Sequence, residues 1–348
     1  MLLSLVRPAF DEKYLIALGT IYLILVAHGL HFLGTKQRLV AVVAGIVILV
    51  GTGWSLSNYY FNPDYAKSPR WRSLVQEIEA SAQAGDVVVQ NYPDPGLAYY
   101  YHGELPIRLL PTSADSPPER TNRVLEKLAA TNRRIWLIPA PGQAWDQYGI
   151  VAQWLRRHAD LVDDRVVDSL HLQLYQTAPA FREGMTPVNI VLGDRLQLLG
   201  YRLQSYTDGT TAPASSVTPA AGDDSPSVPI HAAGNRLLLT LYWQALSPVD
   251  ADYSVFVHLA DSNEQIWGQH DGQPVEGTYP TSQWQPGEII VDPHSIDIDP
   301  QAPPGTYRLM TGLYHSADGQ RLTIVNPSDK VNNDRIVLTT LELPGAVD

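Results

Sequence analysis

Two long apolar runs open the chain. Tyr14 to Leu33 and Leu39 to Leu56 contain no Asp, Glu, Lys or Arg. Each is about the length a helix needs to cross a hydrocarbon core of roughly 30 Å. Val40 to Val50 lacks the polar face that a half-buried soluble helix carries. The first run is too long for a secretory signal, and a second run follows at once. The pattern predicts a two-helix transmembrane hairpin over residues 1–61, with spans at 14–33 and 39–56 and a tight turn at Gly34 to Arg38. Trp54, Tyr59, Tyr60 and Phe61 mark where the second span leaves the bilayer, as an aromatic belt does. Lys36 and Arg38 place the turn in the cytoplasm and the rest outside. Arg7, Lys13, Lys67, Arg70 and Arg72 count the other way, but long domains translocate largely regardless of charge. His28 and His31 fall inside the first span and are expected to face a neighbouring helix or the interface near the turn.

Residues 62–180 alternate helix and strand patterns. Trp71, Leu74, Val75 and Ile78 recur at helical spacing, Gly85-Asp86 ends that helix, and Val87-Val88-Val89 reads as a buried strand. Pro106 to Leu110 and Arg134 to Ile138 are further strands. Glu119 to Ala130 and Trp145 to His158 are helices, and Asp164 to Asp168 and Leu170 to Tyr175 close the unit as strands. Such alternation predicts a small α/β domain with a mostly parallel sheet.

From 188 to 345 the period shortens to two. Eight strands are predicted: Arg195 to Tyr206, Arg236 to Gln244, Tyr253 to Leu259, Gln265 to Gln269, Glu288 to Ile298, Thr306 to Tyr314, Arg321 to Val325 and Arg335 to Leu343. Gly and Pro punctuate them, as in an all-β sandwich of jelly-roll or immunoglobulin-like type. Thr207 to Gly234 is rich in Ala, Ser, Thr, Pro and Asp, and is expected to be a disordered insertion between the first two strands.

Charge and composition narrow the chemistry. The net charge is −12 and no basic stripe is present, which excludes nucleic acid as a partner. The absence of cysteine excludes disulfides, thiolate metal sites and thiol nucleophiles. No phosphate loop, Gly-x-Ser-x-Gly elbow or His-Glu-x-x-His motif occurs. Asp297-Ile298-Asp299 resembles a metal-binding aspartate pair, but it lies in an alternating strand with one wet face. Tyr100 and His102, within Tyr99-Tyr100-Tyr101-His102, are candidate glycan contacts, as are Trp267, Tyr279 and Trp284. His258, His270, Asp271, Asp292 and His294 form a candidate polar or metal cluster able to hold a divalent cation if the strands bring them together. Arg133-Arg134 and Arg156-Arg157 read as solvated element ends.

Several phrases carry a resemblance. Trp71-Arg72-Ser73-Leu74 through Ala84-Gly85-Asp86-Val87-Val88-Val89, Arg134-Ile135-Trp136-Leu137-Ile138 and Trp154-Leu155-Arg156-Arg157-His158 resemble the extracytoplasmic domain of bacterial GT-C membrane glycosyltransferases, the relatives of protein O-mannosyltransferases and aminoarabinose transferases. Leu241-Tyr242-Trp243, Val255-Phe256-Val257-His258-Leu259, Gln269-His270-Asp271-Gly272, Tyr279 to Trp284 and Pro304-Gly305-Thr306-Tyr307 resemble a sandwich module appended to such enzymes. The family's many membrane helices and its early acidic loop have no counterpart here, so no catalytic residue carries over. The resemblance implies an extracytoplasmic accessory or binding module in the bacterial cytoplasmic membrane. Its implied partners are the lipid bilayer, a glycan or lipid-linked sugar, and the membrane-embedded part of a glycosyltransferase. A C-terminal fragment of an active enzyme and a structural envelope protein are the alternatives.

Overall fold

The computed structural model describes residues 16–62, 71–140, 145–206, 215–217, 228–229, 236–325, 331–332 and 334–344. The chain divides into two units, Met1–Pro69 and Arg70–Asp348.

The first unit holds α1 (Ile16–Lys36) and α2 (Arg38–Phe61). α2 is long and apolar enough to cross a membrane, and none of its side chains is buried. The apolar stretch Ile21–Lys36 of α1 is shorter. The predicted five-residue turn shrinks to one residue, because Gly34 to Lys36 stay in α1 and Arg38 opens α2. Only Gln37 leaves the helical region, at φ −146° and ψ 83°. Its neighbours keep their ladder: the Gln37 amide donates to Leu33 O, and the Ala41 amide to Gln37 O. His28 and His31 are exposed, so neither is packed against α2; of the two expected placements, the interface near the turn remains.

The second unit begins with a five-stranded sheet between helices. Its elements are α3 (Trp71–Ser81), β1 (Asp86–Gln90), α4 (Pro95–Tyr100), β2 (Ile107–Leu109), α5 (Pro118–Thr131), β3 (Arg134–Ile138), α6 (Ile150–His158), β4 (Asp160–Val167), β5 (Leu170–Gln176) and α7 (Ala178–Gly184). Strand order is β2-β1-β3-β5-β4. β1 pairs in parallel with β2 and β3, whereas β5 pairs antiparallel with β3 and β4. The expected mostly parallel sheet is therefore mixed. The physical reason is the two-residue turn Asp168-Ser169, whose φ angles of 45° and 76° fold β4 directly onto β5 as a hairpin. Side chains of successive strand residues point to opposite faces. Val88, Trp136 and Leu174 accordingly pack on α3, while Val87, Val89, Ile135 and Leu137 pack on α5 and α6. α6 starts at Ile150, later than the predicted Trp145. Gly149 is left-handed at φ 61°, and Asp146 Oδ1 accepts the Ile150 amide at 2.8 Å.

The rest is a sandwich of β6 (Thr186–Leu192), β7 (Leu196–Tyr206), β8 (Ser215–Val217), β9 (Val228–Pro229), β10 (Arg236–Ala245), β11 (Tyr253–Ala260), β12 (Ile266–Gly272), β13 (Ile289–Asp297), β14 (Gly305–His315), β15 (Val331–Asn332) and β16 (Arg335–Leu343). One sheet runs β13-β10-β7-β6 with β8 on β7, the other β12-β11-β14-β16-β15 with β9 on β16. Leu237, Leu239, Leu241 and Trp243 point into the core between the sheets. Tyr242, on the outer face of β10, stacks on Phe181 of α7 with ring centroids 4.6 Å apart. β10 is thus covered on both faces, which explains its unbroken apolar run. Two expectations change. Arg321 to Val325 is no strand, and makes only isolated bridges from Arg321 to Tyr314 and from Ile324 to Leu192. Within the insertion at 207–234, which was expected to be disordered, β8 and β9 pair as short strands. Its other residues lie outside the described ones.

Candidate functional site

The predicted His/Asp cluster separates into two groups. β11 and β12 are antiparallel neighbours, with Val257 opposite His270 and Phe256 opposite Asp271. Consecutive residues of β12 face opposite ways. Asp271 therefore meets His258, whose Nε2 lies 3.2 Å from Oδ1, while His270 turns away toward β13. There its Nδ1 lies 2.8 Å from Nδ1 of His294, and His294 Nε2 lies 2.8 Å from Asp292 Oδ2. A carboxylate only accepts, so His294 carries its proton on Nε2. In the neutral pair its Nδ1 then accepts from His270 Nδ1–H. Asp292 is buried, and also accepts the Trp243 indole N–H at 3.3 Å and the Val275 amide at 2.8 Å. Burial, and then the nearby His294, push the His270 imidazole below its ordinary value. His270 and His294 tie the edge strands of the two sheets together. Among the described residues no three His or carboxylate groups converge as cation ligands.

The predicted glycan platforms also part company. Trp284 is 2% exposed and belongs to the main core, with its indole N–H donating to Tyr279 O at 3.1 Å. Neither indole face is open to a sugar ring. Tyr279 is buried as well, and its hydroxyl donates to Glu288 at 3.0 Å. Trp267 is half-buried and donates to Asp261 Oδ2 at 3.1 Å. Tyr100 ends α4, and its ring meets that of Tyr99 edge-on at 4.9 Å. His102 follows, exposed.

A further polar grouping lies where α6 meets the sandwich, and the sequence reading missed it. His158 stacks on Trp154, with centroids 4.3 Å apart. Its Nε2 lies 2.5 Å from Glu288 Oε1. The Arg157 guanidinium lies 4.4 Å from the Tyr279 ring centre and donates to Thr278 O. Arg157 is therefore half-buried rather than a solvated helix end. A groove of about 480 Å³ opens beside it, lined by Ala129, Ala130, Ala178 and Pro286 with Trp154, His158 and Glu288. Glu288 Oε1 is held by His158 and Tyr279, and Oε2 accepts the Gln285 amide at 2.7 Å. Both oxygens are occupied by the chain itself, which makes Glu288 a fastener between layers. The available signal was the i, i+3, i+4 spacing of Trp154, Arg157 and His158 on one helix face. Arg134 is a similar case: its Nη2 lies 2.6 Å from buried Asp86, whereas Arg133 pairs with Glu183 at the surface.

Glu288 yields a test. Burial alone would raise its carboxyl, but bonds from His158, the Gln285 amide and Tyr279 hold it below 4.5. Its stabilising contribution is therefore present above pH 4.5 and is lost as pH falls through the lower folded-state value. Glu288→Gln is expected to reduce stability by about 1.5–3 kcal/mol at neutral pH. In urea titrations the difference from the parent should shrink toward pH 3.

No protein-family profile matches the chain, and no curated protein matches it. A solved structure described as the C-terminal domain of wzt is 14% identical to it, with coverage of 47% of this chain and 83% of that chain and a TM-score of 0.30. A likeness at that level carries no argument about fold or function.

Proposed function

We propose that this chain is a membrane-anchored, extracytoplasmic accessory or binding module of a lipid-linked-sugar glycosyltransferase system, acting by recognition. α1 and α2 form its hairpin anchor in the bacterial cytoplasmic membrane, and the Arg70–Asp348 unit is its water-facing body. The observation that carries this reading is α2, whose 24 residues include one charge, Arg38, at its start and bury no side chain within the protein. Such a surface is compatible with lipid and costly in water.

The test has three arms. The protein should stay with membranes through an alkaline carbonate wash and leave them only in detergent. Protease added outside spheroplasts should cleave the body. The purified chain should transfer no labelled sugar from a polyprenyl-phosphate donor. Release by carbonate would remove the anchor, and protection of the body until lysis would reverse the orientation. Turnover abolished by changing one of the chain's own carboxylates would replace the module by an enzyme.

A further inference from the structure

The exposed tyrosines of α4 sit beside the point where the chain enters its second unit. Tyr99 is 72% exposed and Tyr100 36%. Asp94 caps α4 by accepting the Gly96 amide at 2.7 Å. Gly96 lies so close against the Trp71 indole that no Cβ fits there, which fixes α4 on the first residue of α3. Leu97 is fully buried beneath. The next residue of α3, Arg72, is exposed, and its guanidinium lies 5.7 Å from the Tyr100 ring centre. Two outward aromatic rings and a cation thus form one rigid knob.

Chain length and charge point to what covers it. α2 ends at Phe61 and α3 begins at Trp71. Ten Cα steps reach at most about 35 Å, even fully extended. If α2 spans the bilayer, the covalent tether brings the chain into its second unit within that reach of the surface where α2 emerges. Lys67 and Arg70 lie in this stretch and Arg72 directly follows it, against the single carboxylate Asp64 before Glu77. That local excess of positive charge stands out in a chain of net charge −12. Tyrosine favours the water–lipid boundary, where its ring is apolar and its hydroxyl wet, and Lys and Arg there are drawn to anionic headgroups.

We infer that Tyr99, Tyr100 and Arg72 form a lipid-contacting knob that rests the soluble body on an anionic bilayer surface. The inference rests on the anchoring reading above. It assigns the tyrosines to headgroups instead of a sugar ring.

The absence of cysteine makes the test clean. The full-length chain carrying His102→Cys is labelled with an environment-sensitive fluorophore and reconstituted into phosphatidylglycerol–phosphatidylcholine vesicles. A second sample is labelled at Leu246→Cys, an exposed position in the sandwich. The label at 102 should shift to the blue and be quenched by headgroup-level quencher lipids, while the label at 246 should stay in water. Arg72→Gln should weaken this docking about fivefold on anionic vesicles and leave it unchanged on neutral ones. Tyr99→Ser with Tyr100→Ser should abolish the shift without changing flotation of the protein with the vesicles.

A protein that does not float overturns both the anchor and the knob. A protein that floats with its label at 102 in water overturns the knob alone. Equal quenching at 102 and 246 also overturns it. So does a label at 102 that ignores lipid and responds to soluble oligosaccharide, an outcome that returns Tyr99 and Tyr100 to glycan recognition.

Discussion

Trp284→Ala is expected to destabilise the Arg70–Asp348 unit by about 3–5 kcal/mol, as truncation of a fully buried large aromatic does. The indole is 2% exposed and lies in the same core as Trp243, Leu241 and Leu309. Truncation leaves a cavity there and removes the N–H that satisfies Tyr279 O. Trp267→Ala removes a half-buried ring at the sandwich edge, and its effect should be smaller. Urea denaturation followed by circular dichroism measures both. Any loss of glycan binding in Trp284→Ala would then follow from unfolding, so a recognition role for these aromatics is to be read from Trp267 alone. A loss under about 1 kcal/mol at Trp284 would contradict its placement in the core.

The helices were legible wherever one face carries the burial. Trp71, Leu74, Val75 and Ile78 occupy successive turns of α3, and the structure buries those four. Central strands such as Val87-Val88-Val89 were legible as short apolar runs flanked by turns. β6 escaped notice although Val188, Ile190 and Leu192 alternate toward the core, because Pro187 and Asn189, both disfavoured in strands, interrupt so short a run, and its ladder to β7 shifts register between Pro187 and Ile190. Arg321 to Val325 has the opposite problem. It alternates like a strand, but the chain spends it bridging Tyr314 on one sheet to Leu192 on the other. The division of the His/Asp cluster was half legible. The period of two already sends His270 and Asp271 to opposite faces of β12. That His270 then meets His294 was not legible, because it depends on how the two sheets close on each other. Trp284 and Tyr279 look alike in sequence whether they pave a binding surface or fill a core. Only the packing of the Thr281–Gln283 turn onto the sandwich distinguishes the two.

The junction between the α/β layer and the sandwich leads to the second large effect. Asp160 opens β4 and is 3% exposed. Tyr242 of β10 donates its hydroxyl to Oδ2 at 2.7 Å, and Arg202 of β7 brings Nη2 to 2.6 Å from the same oxygen. The Arg202 contact is ionic and lies off the line of a hydrogen bond, and its Nε has no acceptor among the described residues. Burial pushes the Asp160 carboxyl above 3.8, with Arg202 and then Tyr242 pulling it partly back. Burial also pushes the Tyr242 hydroxyl far above its usual range, so it remains a donor. Arg202→Met keeps the bulk of the side chain and strips the counter-charge. It is expected to cost about 3–5 kcal/mol at neutral pH, because a buried carboxylate is left without its cation. The pH dependence has a definite sign. A carboxyl whose folded value is raised favours the fold most below 3.8 and loses that advantage as pH rises through the folded-state value. Removing Arg202 raises the folded value further, so the penalty should be largest at pH 7 and should shrink on acidification. Asp160→Asn in the Arg202→Met background should recover most of the loss at pH 7, since no charge then remains to bury. Hydrogen exchange should report the loosening first at β4 and at α7, where Phe181 stacks on Tyr242. A pH-independent loss in Arg202→Met, unrelieved by Asp160→Asn, would show that Arg202 acts through packing and that the Asp160 charge plays no part in holding the two layers together.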